Sequence, residues 1–151
     1  MRKFAAVSLI GLLSAGCSAL GNCPPEGDDL YVETGVTLED AKMYYSSPSW
    51  GPRDKYPAKT TLHFIHNLGF TPEYMQSYIS FEPDTSDFSE NTGNQGRWKC
   101  MDDRQIVIKN DTCEEDFYVF VTAFGSGELH APCTCEERAA NSGKCRSEDD
   151  G

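Results

Sequence analysis

Apolar and polar residues alternate with a period of two over several short stretches. Residues 60–66 place Leu62 and Phe64 against Thr61 and His63, and the pattern stops at Asn67-Leu68-Gly69. After Pro72, residues 73–81 put Met75, Ile79 and Phe81 on one face and Tyr74, Gln76, Tyr78 and Ser80 on the other. Residues 104–109 and 117–124 are β-branched and aromatic runs, separated by the turn-forming Asn110-Asp111-Thr112. Residues 98–101 and 30–36 are weaker strand signals. Only residues 38–45 suit a helix, with Thr37 as N-cap and Glu39 and Asp40 in the first turn. Short strands with turn signals between them predict an all-β fold, a small antiparallel β-sandwich or barrel with at most one short helix. There is no internal repeat and no heptad pattern.

The inward-facing set expected from this alternation is Leu62, Phe64, Met75, Ile79, Phe81, Ile106, Ile108, Phe117, Val119 and Val121. Tyr118 and Phe120 make residues 117–124 apolar on both faces, which marks a central strand. The segment His66-Asn67-Leu68-Gly69-Phe70-Thr71-Pro72 is similar to the His-x-Leu-Gly-x-x-Pro hairpins of bacteriophage tail-fibre and bacterial surface β-domains. The resemblance spans about twenty residues. It implies a turn with positive φ at Gly69 and a strand opened by Pro72, and no activity.

The N-terminus follows a different pattern. Met1-Arg2-Lys3, an apolar stretch to Leu13 and the exit Ser14-Ala15-Gly16 read as a secretory signal, residues 1–16. Leu13-Ser14-Ala15-Gly16-Cys17 resembles the lipobox of bacterial lipoproteins. That resemblance implies a diacylglycerol joined by a thioether to the sulfur of Cys17, palmitate among its acyl chains, and cleavage before Cys17. A competing cut after Ala19 stays open. Residues 17–29 are small, polar and Pro/Gly-rich and read as a lipidated flexible tether. Residues 30–135 form the β-domain, and 136–151 a polar tail stapled at Cys145. No apolar run reaches the length of a spanning helix, so acyl chains provide the membrane attachment. The implied location is the extracytoplasmic face of a bacterial cell envelope, on the outer membrane in a diderm.

Cysteine parity agrees. Seven cysteines cannot all pair, but acylating Cys17 leaves Cys23, Cys100, Cys113, Cys133, Cys135 and Cys145, enough for three disulfides in an exported domain. If Asp102-Asp103 turns a hairpin, Cys100 lies beside Gln105, far along that strand from Cys113. Cys100 is then expected to join Cys133 or Cys135, and Cys113 to join Cys23 or Cys145. A short Cys100–Cys113 loop is the competitor.

Composition narrows the function. A net charge of −11 excludes nucleic acid as the main partner, because phosphate binding needs a concentrated basic face. Ser126 in Gly125-Ser126-Gly127 lacks the strand-to-helix setting of a nucleophile elbow, and paired cysteines offer no thiolate. No catalytic residue is therefore assigned, and no enzyme activity or cofactor is expected. His63 and His66 fall on opposite faces of a strand. His130, Cys133, Cys135 and Cys145 have a spacing that zinc accepts, but oxidised pairs take precedence outside the cytoplasm. The acidic loops at Asp84 and Asp87, at Asp102 and Asp103, and at 114–116 lack a calcium-loop pattern. No metal site is assigned.

Residues 43–57 remain, carrying Tyr44, Tyr45, Trp50 and Tyr56 among three prolines. Rings on pre-ordered loops stack on sugars or fill partner pockets at little entropic cost. These four are the candidate ligand-binding residues. The competing reading folds them back as a lid over a sheet edge. The amide-rich loop 91–96 is a second candidate contact. The expected function is a non-catalytic binding or adhesion module for a glycan or protein. The alternatives are an acidic inhibitor of a basic enzyme such as a lysozyme, steered by charge, and a structural envelope component.

Overall fold

The structure is a computed structural model that describes residues 23–47, 52–84, 86–127 and 134–140. Two sheets pack face to face as a sandwich rather than a closed barrel. The first comprises β1 (Asp29–Val32), β5 (Thr61–Ile65), β9 (Gln105–Lys109) and β8 (Arg97–Met101), in that spatial order. The second runs β2 (Val36–Leu38), β3 (Met43–Tyr45), β10 (Phe117–Phe124), β6 (Tyr74–Ser80) and β7 (Ser89–Glu90). Its sixth strand, β4 (Asp54–Tyr56), pairs with the first half of β10. Every pair is antiparallel except β1 with β5. A single short helix, α1 (Cys135–Ala140), follows.

The alternation read from the sequence sets the core. Leu62, Phe64, Ile106 and Ile108 of the first sheet meet Ile79, Phe117, Val119 and Val121 of the second, all buried, with Met75 packed against them. β10 is the central strand, flanked by β6 along its length and by β4 and β3 on its other side. This explains why it is apolar on both faces.

Three expectations are corrected. Residues 38–45 are not a helix. Val36–Leu38 and Met43–Tyr45 pair as a hairpin, with Lys42 at φ 52 and its N–H donating to the Glu39 carbonyl at 3.1 Å. The β-branched and aromatic residues here gain a sheet partner in β10, and that outweighs the local capping signal. Phe81 does not face inward. It lies just past β6, 74% exposed, because the strand ends at Ser80. Residues 66–73 are not a hairpin turn either. Gly69 has φ 75 as expected, but β5 already has β1 and β9 on its two edges, so the chain crosses to the other sheet.

Cysteine pairing follows the expected choices. Cys100 joins Cys135 and Cys23 joins Cys113, with Cα separations of 5.7 and 4.7 Å. The β8–β9 hairpin turns one residue later than expected, at Asp103-Arg104 with the Asp102 N–H donating to the Gln105 carbonyl at 3.0 Å, and this sets Cys100 opposite Val107 rather than Gln105; a bulge follows between Trp98 and Cys100. Cys17, Cys133 and Cys145 lie outside the described residues. Residues 23–28 are tied to the domain by Cys23 and by the Gly27 N–H donating to the Lys59 carbonyl at 3.0 Å. At the other end, α1 begins with a capping box: Thr134 Oγ1 accepts from the Glu137 N–H at 3.1 Å, and a Glu137 carboxylate oxygen accepts from the Thr134 N–H at 2.9 Å.

A polar hub holds one end of the sandwich. The buried Asp102 carboxylate accepts N–H groups from Arg104, Gln105 and Cys135 at 2.8–2.9 Å. Burial pushes its pKa up, but these three bonds outweigh burial and hold it below the usual carboxylate range. His66 Nδ1 accepts the Leu68 N–H at 3.1 Å, so Nε2 carries the proton and donates to the Asp102 carbonyl at 3.0 Å. Burial keeps this imidazole neutral by lowering its pKa.

Candidate functional site

The four candidate rings separate. Tyr44 and Tyr56 are fully buried in the core, so they offer no ligand surface. Both fall on inward positions of strands that pair with β10, and that register decides their fate. The space taken by Tyr44 depends on Gly35, where a Cβ would come within 2.4 Å of the ring. Tyr45 points the other way, its ring 6.4 Å from that of Phe120. Trp50 lies outside the described residues.

Tyr45 belongs to a larger surface, the outer face of the six-stranded sheet. The pairing registers align Leu38, Met43, Phe124 and Tyr74 in one row across β2, β3, β10 and β6. Leu38 is 44% exposed and Tyr74 59%, and the rings of Tyr74 and Phe124 stack at 5.1 Å. The next row on that face runs Val36, Tyr45, Thr122 and Gln76. One row further, Phe120 pairs with Tyr78, whose ring meets Phe88 edge-on at 5.2 Å. Arg53 lies 5.6 Å from the centre of the Phe88 ring and donates to the Pro83 carbonyl at 3.2 Å. Phe88 in turn borders a pocket of about 330 Å³ that also involves Phe81, Asp87 and Gln95. Gln95 comes from the amide-rich loop 91–96.

Tyr74, Tyr78, Phe81, Phe88 and Phe124 are therefore the candidate surface residues that sequence reasoning missed, while Phe120 lies on the same side of its strand but is buried. Their signal was present: Tyr74 and Tyr78 occupy the non-core face of β6, and Phe120 the non-core face of β10. Rings at positions that alternation assigns to solvent make this face the candidate surface.

The other chemistry singled out has structural roles. Ser126 bonds through both its N–H and its hydroxyl to the Glu73 carboxylate, anchoring the turn after β10. His63 stacks on Tyr31 at 4.6 Å and bonds to Gln105 at 2.9 Å on the outer face of the four-stranded sheet, while His66 is buried. Beside Tyr44 in the second sheet, burial raises the carboxyl of Asp54 to about 6, partly offset by a hydrogen bond with Ser46.

Fold and surface together define a disulfide-pinned β-sandwich with one polar outer face and one aromatic outer face. No protein-family model, curated protein or solved structure matches the chain.

Proposed function

We propose that this protein is a lipid-anchored, non-catalytic binding module of the bacterial envelope, and that it holds its ligand on the aromatic outer face of the six-stranded sheet. The observation that carries the reading is the exposed row Leu38–Met43–Phe124–Tyr74. Apolar side chains aligned across four strands give up water when a ligand covers them, at about 25 cal/mol per Å² of apolar surface. The disulfides support an oxidising compartment. Under this reading, the Cys23–Cys113 bond shortens the leash. Five residues lie between Cys17 and Cys23, six Cα–Cα steps with a reach of about 20 Å at full extension.

Two experiments test the proposal. Mass spectrometry of the N-terminal peptide is expected to find Cys17 acylated, and Cys17→Ser to release the protein from membranes. An unmodified N-terminus at Leu20 overturns the anchor. For the binding face, the released protein is expected to co-sediment with bacterial envelope material, and Tyr74→Ser with Phe124→Ser to abolish this while the melting curve holds. Retention that survives both changes removes this face from the reading. Retention lost steeply with added salt favours a charge-steered basic partner instead.

A further inference from the structure

We infer that the pocket between Phe81 and Phe88 is a subsite for one sugar ring of a neutral glycan that continues onto the aromatic outer face. This rests on the binding-module reading and names its ligand class. Phe81 stands at the end of β6, largely in water, with its ring 5.4 Å from that of Phe117. Phe88 is 43% exposed, set edge-on against Tyr78 with Arg53 beside its ring. Both phenyl groups are thus positioned by packing and remain partly exposed, so binding costs them little further ordering.

The pocket pairs apolar and polar groups at close quarters. Its floor is Ile79 and Phe117, and its polar lining comes from Ser80, Ser89, Asp87 and Gln95. A volume of about 330 Å³ lies at the small end of ligand sites and suits a single ring. A sugar presents apolar C–H faces to stack on rings and hydroxyl edges that need donors and acceptors, and this lining offers both. A purely apolar group would strip water from the Gln95 amide without replacing its hydrogen bonds. An anionic ligand meets Asp87 in the lining and a chain of net charge −11, which the single guanidinium of Arg53 beside Phe88 does not offset. Beyond Phe88, the half-buried Tyr78 leads along the outer face of β6 toward Gln76 and Tyr74, beside Phe124, which gives further sugar units a surface to follow.

The test uses the full chain with defined cellulose-type, starch-type, chitin-type and mannan-type oligosaccharides, and tetralysine as the competing basic ligand. Saturation-transfer NMR and calorimetry are the readouts. At least one neutral series is expected to bind with an affinity unchanged by a roughly tenfold rise in salt. Phe81→Ala and Phe88→Ala are each expected to weaken it by about tenfold or more, and Phe81→Tyr to retain it. Phe81 is exposed, so its Ala variant is expected to fold, which a melting curve verifies. Oligosaccharide binding untouched by Phe81→Ala overturns the subsite. Salt-sensitive tetralysine binding without any sugar binding overturns the ligand class. If every sugar is silent while Tyr74 and Phe124 still control envelope retention, the sugar assignment falls and the binding-module reading stands. If retention is also indifferent to those two residues, both fall.

Discussion

The two sheets share a core but differ on the sides that face away from it. The four-stranded sheet turns Thr61, His63, Gln105 and Lys109 outward, and these carry specific partners: Lys109 pairs with Glu26 and with Asp111, the latter at 3.1 Å, and His63 bonds to Gln105. Of its apolar outward residues, Tyr31 stacks on His63 and Val107 lies against the Cys100–Cys135 bond. The six-stranded sheet turns Leu38, Met43, Tyr45, Tyr74, Tyr78, Phe120 and Phe124 outward. The same alternation buries one face of each sheet, so the inner faces say little about role. The distinction lies in what each sheet does with the face that folding leaves over.

Predictions from this contrast begin with the disulfides, both of which fix chain entering or leaving the four-stranded sheet. Replacing Cys23 and Cys113 by Ser opens a sequence separation of 90 and is expected to cost about 4 to 5 kcal/mol on the loop-entropy model. Opening the separation of 35 between Cys100 and Cys135 is expected to cost about 3 to 4 kcal/mol. Denaturant unfolding measures both, and losses under about 1 kcal/mol would show that packing alone holds that side.

The inner faces are expected to respond alike. Ile108→Ala in the four-stranded sheet and Val119→Ala in the six-stranded sheet should each cost about 2 to 4 kcal/mol, from lost transfer energy plus a cavity. Urea midpoints at an unchanged slope check this. A loss below about 0.5 kcal/mol at either site would mean the core is not shared equally.

The response to pH separates the two sides in sign. Burial lowers the folded pKa of His66 below its ordinary 6.5, so its contribution is present above that pH and lost as pH falls below it. Asp102 behaves likewise further down, through and below the usual carboxylate range. Asp54, beside Tyr44 in the other sheet, is the reverse. Its folded pKa is raised from 3.8 to about 6, so its contribution is present below 3.8 and lost as pH rises through 6. Asp54→Asn is therefore expected to stabilise the protein at pH 7, on the order of 1 kcal/mol after solvent screening, and to steepen the net loss of stability below pH 6. Melting temperatures across pH 4 to 8, a window of about two units either side of the Asp54 value, measure it. A destabilised Asn variant at pH 7 would make the Asp54 carboxylate a structural anchor instead.

The smallest stability effect is expected where the functional effect is largest. Tyr74→Ser and Phe124→Ser lie on a solvent-facing surface and should each shift stability by under about 1 kcal/mol while removing envelope retention. A larger stability loss would mean the aromatic row is part of the fold's own packing.

Much of the fold was legible because alternation is local. The spacing of Leu62 and Phe64, of Ile106 and Ile108, and of Phe117, Val119 and Val121 already assigns one side of each strand to the core. The double-sided apolar run at 117–124 placed the central strand, and a hairpin turn soon after Met101 carried Cys100 away from Cys113, which kept the bonds that form among two choices for each of these cysteines. The capping box Thr134–Glu137 was equally local and marks α1 within what reads as polar tail.

What the chain by itself did not determine depends on partners distant in sequence. Residues 36–45 carry a helix cap and a strand composition at once, and the free edge of β10 decides between them. Tyr44 and Tyr45 are chemically alike, yet register buries one against Gly35 and turns the other toward Phe120. Phe81 continues the inward alternation of β6 on paper, but the strand ends one residue earlier and leaves the ring in water. Period-two patterning states that two faces exist. Which one meets another sheet, and which rings from β2, β3, β10 and β6 align on the other, depends on strand order and register. Both are set by contacts between residues as far apart as Met43 and Phe124, because local pattern carries no information about pairing partners.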